Sequence, residues 1–205
     1  MRAFTLDGFD VPAGLRDDLP APQPADTDLL VRVHASSVNP VDAAITAGAL
    51  REMMEHEFPV MLGRDYAGVV EEVGSGVSRY AVGDEVFGFV LHANPTVHDG
   101  SWAELIELPE DNCVARRPAN VELAEAGAAS LAGITALLCV DALDLSEGDT
   151  VLFTSPENLE RLAQLLDDGV LRVRLQNSYA LDQAAEAMNA LGATHTQGKL
   201  GIEVS

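Results

Sequence analysis

Apolar and polar residues alternate through the first half of the chain. From Asp28 to Val38 (DLLVRVHASSV) the apolar positions are Leu29, Val31, Val33 and Ala35, with Arg32 and His34 between them. A period of two predicts a half-buried strand whose charged residues share the outer face. Arg2 to Leu6 predicts a short opening strand, and the prolines at 12, 20, 22 and 24 make Val11 to Asp28 an extended connector. Asn39-Pro40 ends the Asp28 strand, and Val41 to Ala47 fits a short helix with Pro40 at its first position. Leu50 to Phe58 fits a helical turn stopped by Pro59. Ala67 to Val73 and Glu85 to Val90 predict two further strands, with Gly74-Ser75-Gly76 expected to supply left-handed hairpin positions. Gly63 and Gly68 mark a sharp turn or a close backbone approach. Strands over Ser101–Leu108 and Asn112–Arg116 complete a run of short strands at close spacing. The expected architecture is mainly β with flanking α: a small, partly open β-barrel.

The pattern changes after Pro118. Glu122 to Leu143 is Ala-rich, with Leu131, Ile134 and Leu138 on one helical face and Gly127 and Gly133 as candidate breaks. Gly148 to Phe153 reads as a turn feeding a buried strand. Ser155-Pro156-Glu157 reads as an N-cap with Pro at the first helical position. Leu159, Leu162, Ala163 and Leu166 give that helix an apolar face, and Gly169 closes it. A strand over Leu171–Leu175, a helix over Leu181–Leu191 and a last strand over Lys199–Val204 follow.

Composition excludes several function classes. The chain has 205 residues and a formal net charge of −21, with Lys199 its sole lysine. Such a surface repels nucleic acid and anionic membrane, so neither is an expected partner. No apolar run is long enough to span a bilayer. The first residues show no basic stretch followed by an apolar one, so a secretory leader is not expected. Cys113 and Cys139 fit no metal or redox spacing and read as reduced thiols of a cytoplasmic protein. No Gly-x-Ser-x-Gly elbow is present, which weakens a hydrolase reading.

Gly63 to Gly88, GRDYAGVVEEVGSGVSRYAVGDEVFG, resembles the long G-x-D-x-A-G-x-V-x-x-V-G-x-G-V signature, closing in G-D-x-V-x-G, of the medium-chain dehydrogenase/reductase superfamily. Ser36-Ser37-Val38-Asn39-Pro40-Val41-Asp42, Gly100-Ser101-Trp102-Ala103-Glu104 and Ile134-Thr135-Ala136-Leu137 extend the resemblance to its quinone oxidoreductase branch. Gly198-Lys199-Leu200 is similar to that branch's C-terminal ending. The resemblance implies a GroES-like catalytic domain and hydride transfer from NADPH to a quinone or enone. It implies that Asn39 lies near the nicotinamide, Asp42 braces that turn, Thr135 contacts the cofactor and Lys199 approaches its anionic part. Family members commonly carry Arg and Tyr where this chain has Thr46 and Leu50, so these two line the implied substrate pocket without the usual polar groups. Each residue also has a plain structural reading. Asn39-Pro40 makes a good turn, Thr135 can bond back into its helix, and Lys199 can be a surface charge.

One part of the family pattern is missing. The strand at 150–153 would open a dinucleotide-binding Rossmann domain, yet Thr154 already resembles the family's C-terminal return. Two βαβαβ halves need on the order of 100 residues. Gly74-Ser75-Gly76 does not stand in for the phosphate turn, because a strand follows it. The expected organisation is therefore one GroES-like domain built from 1–153 and 154–205, with the Rossmann insert deleted at the 153/154 junction and little turnover by the chain alone. A homodimer through the face so exposed is expected. No zinc is expected either: Pro40 and Gly63-Arg64-Asp65 stand where zinc-dependent members carry Cys and Gly-His-Glu. His92 and His98 read as solvated loop residues. Two other readings stay open, a non-enzymatic binding or scaffold module and one half of a split enzyme.

Overall fold

A computed structural model describes residues 1–91, 96–141, 156–193 and 197–204. In chain order the elements are strands β1 (Ala3–Leu6), β2 (Gly14–Arg16) and β3 (Asp28–Ser37), helix α1 (Pro40–Thr46), and strands β4 (Glu55–His56), β5 (Val60–Met61), β6 (Asp65–Val73) and β7 (Glu85–Phe89). Strands β8 (Thr96–Val97), β9 (Leu105–Pro109) and β10 (Val114–Arg116) follow, then helices α2 (Leu123–Ala126), α3 (Ser130–Asp141) and α4 (Pro156–Asp167). The chain closes with β11 (Leu175–Ala180), a 3-10 turn over Leu181–Gln183, α5 (Ala184–Ala193) and β12 (Lys199–Glu203).

The fold is mainly β with flanking helices, and its sheets are open; the strands do not close into a barrel. The large sheet runs β10-β7-β6-β3-β12-β11, with β9 also on β3. Strand β3 is its spine. One edge pairs with β6 from Leu29 to Ala35. The other edge is shared: β9 takes Asp28 to Arg32, and β12 takes Ala35 to Ser37. The last strand of the described chain thus pairs with the third. β12 in turn pairs in parallel with β11. A small β2-β1-β5 sheet joins through an Ala3–Ala103 bridge.

Two apolar cores result. The larger lies between the sheets and includes Phe4, Leu29, Val31, Tyr66, Trp102 and Ile202. The second joins Phe87, Phe89 and Ala115 of the sheet to Ile134 of α3 and Leu159, Leu162 and Leu166 of α4. Gly133 does not break α3. A methyl group there would meet the Leu162 side chain at 2.9 Å, so the missing Cβ is what lets α4 pack close.

Several expectations are corrected. Gly74 and Gly76 do not adopt left-handed conformations. A Cβ on Gly74 would lie 2.0 Å from the Ala25 carbonyl oxygen, so packing against the connector demands glycine there. The left-handed turn residue is Gly83, at φ 93°. Gly63 and Gly68 do mark close approaches, to the Trp102 ring and to the Arg32 carbonyl. Leu50 to Met54 forms a single turn, and Glu55-His56 then pairs in parallel with Thr96-Val97. The connector contains β2, held by β1. The expected strand at 171–175 lies later, at Leu175–Ala180, where β12 offers a partner. The strand over 148–153, the cap at Ser155, the 153/154 junction and His92 lie outside the described residues. Among those described, no helix is long and apolar enough to cross a membrane.

Removing Lys199 to Ser205 strips a strand that lies between β3 and β11. The truncated chain is expected to lose its cooperative urea transition and to elute as aggregate. An unchanged transition midpoint would show that β12 is not part of the folded core.

Candidate active site

The candidate site gathers where β3 ends and α1 and α3 begin. Asn39 stops β3 in an extended conformation, and Pro40 starts α1 with the fixed φ that suits a first helical residue. The Asp42 carboxylate reaches back one turn, its Oδ2 accepting the Asn39 backbone N–H at 2.7 Å. This bond fixes the turn that carries the Asn39 side chain.

Asn39 is almost wholly buried, and its amide is committed on both sides. Nδ2 donates to Asp65 Oδ2 at 2.9 Å and to Ser37 Oγ at 3.4 Å. Oδ1 accepts from the Lys199 ammonium at 2.5 Å. Lys199 also donates to the Val38 carbonyl and to Asp65 Oδ2, each at 3.4 Å. The centre of this knot is Asp65, which is fully buried. Its Oδ1 accepts the Leu131 backbone N–H at the start of α3, at 2.7 Å, and its Oδ2 accepts the Ser37 hydroxyl at 2.6 Å. A carboxylate at a helix N-terminus meets free backbone donors and the positive end of the helix dipole. The side chain of Arg64, the sequence neighbour, donates to the Met61 carbonyl and faces Asp42 and Asp99.

The other expected site residues fall on two sides of this knot. Leu50 lines an apolar cavity of about 230 Å³, together with Ile45 of α1, Phe89 of β7 and Leu131 of α3. Thr46 does not line it: the hydroxyl bonds back to the Asp42 carbonyl at 2.8 Å and approaches Met188 of α5. Thr135 is exposed on α3, its hydroxyl bonded back to the Leu131 carbonyl at 2.7 Å. The structure thus joins Asn39, Asp42 and Lys199 in one network and leaves Thr135 and Thr46 outside it. Asp65 and Ser37 were not singled out as functional by sequence reasoning. The signal was present in the Gly63-Arg64-Asp65 step, since an acidic residue at the head of an apolar strand must bring partners with it.

The residues do not fit a catalytic zinc. Both Asp65 oxygens are taken, a lysine ammonium stands beside one of them, and Arg64 and Pro40 offer no donor atoms. Among the described residues no group of three His, Cys, Asp or Glu could hold a metal ion. The start of α3, where a helix could receive a phosphate, already holds the Asp65 carboxylate. The Gly74 turn is filled by the connector.

Asp42 gives the site a pH signature. Burial pushes its carboxyl from 3.8 up to about 6, against the opposing pull of Arg64 and of the Asn39 N–H. Among the described residues its Oδ1 has no hydrogen-bond partner. A carboxyl that is less acidic folded than unfolded adds a stability term that is full below 3.8 and lost as pH rises through about 6. Asp42→Asn removes that dependence. Urea unfolding at pH 4 and pH 8 should show the variant gaining on the parent by about 3 kcal/mol at most at the higher pH. Parallel stability profiles for the two proteins would place Asp42 in an ordinary solvated setting.

Comparison with known proteins agrees with this architecture. The family model described as the alcohol dehydrogenase GroES-like domain matches residues 25–118, and the one described as zinc-binding dehydrogenase matches 105–200. The chain is 38% identical over 126 residues to the chloroplast envelope quinone oxidoreductase homolog of Arabidopsis thaliana, covering 61% of this chain and 37% of that protein. It is 34% identical over 140 residues to the quinone oxidoreductase of Sus scrofa, covering 68% of this chain and 40% of that protein. The chain therefore spans about two fifths or less of the curated relatives it matches. Among solved structures, the quinone oxidoreductase from Coxiella burnetii superposes with a TM-score of 0.86 at 19% identity, across 100% of this chain and 99% of that one, which speaks to the fold alone. The chain belongs to the medium-chain dehydrogenase/reductase superfamily, as a GroES-like chain homologous to quinone oxidoreductases.

Proposed function

We propose that this chain is the catalytic, substrate-binding half of a zinc-independent, cytoplasmic quinone oxidoreductase. In the whole enzyme, hydride passes from NADPH to a quinone or enone. The observation that carries the reading is the buried Asn39–Asp65–Lys199 knot, set directly beside an apolar cavity. Leu131 belongs to both: its backbone N–H binds Asp65 and its side chain walls the cavity. The cofactor carries the electrons, and the protein's task is to present a dry, rigid wall against which nicotinamide and acceptor meet. Hydride transfer requires the reacting atoms to approach within about 3–3.5 Å, so rigidity at the wall is part of the rate enhancement. A fully hydrogen-bonded knot supplies that rigidity to the turn bearing Asn39.

The same arrangement supports low turnover by the chain alone. Both N–H groups of the Asn39 amide are already used within the protein. A few further hydrogen bonds, each worth about 0.5–1.5 kcal/mol net, fall far short of the roughly 8 kcal/mol of a micromolar complex. The net charge of −21 adds repulsion toward a phosphate-bearing ligand.

Inserting the Rossmann domain of a close relative between Phe153 and Thr154 is expected to give NADPH-dependent quinone reduction. In that chimera Asn39→Ala should lower kcat by at least about tenfold, the effect of losing one positioned interaction of about 1.4 kcal/mol. His98→Ala, which removes a ring bonded only to the Glu57 carbonyl among its described contacts, should leave kcat within about twofold. Comparable reduction by the chain without the insert, or a chimera indifferent to Asn39→Ala, would overturn the reading.

A further inference from the structure

The cavity beside the knot has a size and a chemistry that narrow what can enter it. Nine of its ten lining residues are Val, Ile, Leu, Met or Phe, among them Ile45, Leu50, Met54, Phe89 and Leu131. The tenth, Arg64, is buried, and its guanidinium donates to the Met61 carbonyl at 3.3 Å. Its charge is already faced by Asp42 and Asp99. An entering anion would find the one guanidinium in the wall already offset by these two carboxylates, and would lose its hydration against an apolar surface. An entering cation would lose its hydration beside Arg64. The volume, about 230 Å³, lies under the roughly 300–1,000 Å³ of pockets that hold drug-sized ligands.

The geometry points to an uncharged, single-ring acceptor, a small enone or quinone without charged or polycyclic substituents, with Leu50 and Met54 setting the size limit. This rests on the oxidoreductase reading for the words enone and quinone; the limits of size and charge rest on the cavity alone. The helical turn from Leu50 to Met54 is held by the Met54 N–H to Leu50 carbonyl bond at 2.9 Å, and both side chains are half-buried. They form the part of the wall where a larger side chain can be accommodated or a smaller one left without collapse of the core.

Binding can be read on the chain as it stands, with no cofactor. Saturation-transfer NMR would use cyclohex-2-en-1-one, cyclohexanecarboxylate and 9,10-phenanthrenequinone as probes, in a Cys139→Ser background so that the exposed thiol does not add to the probe. The expected result is transfer to cyclohexenone and none to the carboxylate or to the three-ring quinone. Leu50→Trp, which fills the cavity, should weaken cyclohexenone binding about tenfold or more. Leu50→Ala, which enlarges it, should retain cyclohexenone and admit the three-ring quinone. Folding of each variant is checked by its urea transition. Equal binding of the carboxylate, equal binding of the three-ring quinone by the parent, or cyclohexenone binding unmoved by a folded Leu50→Trp would overturn the inference. A folded Rossmann chimera that fails to oxidise NADPH whatever the size of the quinone or enone supplied would overturn the oxidoreductase reading and leave the cavity's limits to the NMR result.

Discussion

The structure depends on how Asp65 is kept buried. A carboxylate withdrawn from water costs several kcal/mol unless hydrogen bonds and opposite charge replace what water gave it. Here the replacements come from four separate places: Ser37 at the end of β3, Asn39 in the turn, the Leu131 N–H at the head of α3, and Lys199 on β12. No two adjacent residues could meet the demand. Satisfying Asp65 therefore brings the end of the spine strand, the start of a helix and the last strand to one point. Loss of any donor leaves a buried charge short of a partner, a defect usually dearer than the bond itself is worth.

That constraint explains how two segments far apart in sequence form one body. Strand β12 joins β3 through backbone bonds from Ala35 to Ser37, and Lys199 at its head fastens the same strand end by side chain. α4 is held differently, by apolar contact: Leu159, Leu162 and Leu166 close a second core against Phe87, Phe89 and Ala115. The Arg79–Glu160 ion pair at its rim is exposed and contributes little beside the buried leucines. Packing of this kind accepts helices of varied origin as long as the stripe fits, whereas the Asp65 knot accepts only a donor at the right place.

Much of this was legible before any coordinates. The period-two pattern from Leu29 to Ala35 gave the spine strand, and Pro40, Pro156 and Gly169 marked helix ends because their backbone preferences act locally. Failures came where tertiary partners overrode local preference. Leu50 to Phe58 has helical composition, but Glu55-His56 found a strand partner some forty residues on. Gly74 and Gly76 suggested a left-handed turn, but contact with the connector at Ala25 and Asp26 is what requires Gly74, and Gly76 only packs tightly beside Asp26. Asn39 and Lys199 were named through a family resemblance that implied ligand contacts, and Asp42 through the same resemblance as a brace for the Asn39 turn. Their partners within the protein could not be read that way, because a side chain's hydrogen bonds depend on which strands become neighbours. Asp65, the hub, was legible only as an acidic residue in an apolar stretch.

A site built in this manner holds its shape without a ligand. The side chains of Asn39, Asp65 and Lys199 have their partners inside the protein, and the adjoining wall is mostly apolar, so neither needs a cofactor to set its geometry. The converse also holds: groups committed internally have little left to give a ligand. What the wall offers is burial of apolar surface, about 25 cal/mol per Å², with few directional bonds to add. In the hydride-transfer reading, then, this half supplies orientation and dryness, and the affinity for a charged dinucleotide must come from another surface. A chain can keep the first without the second.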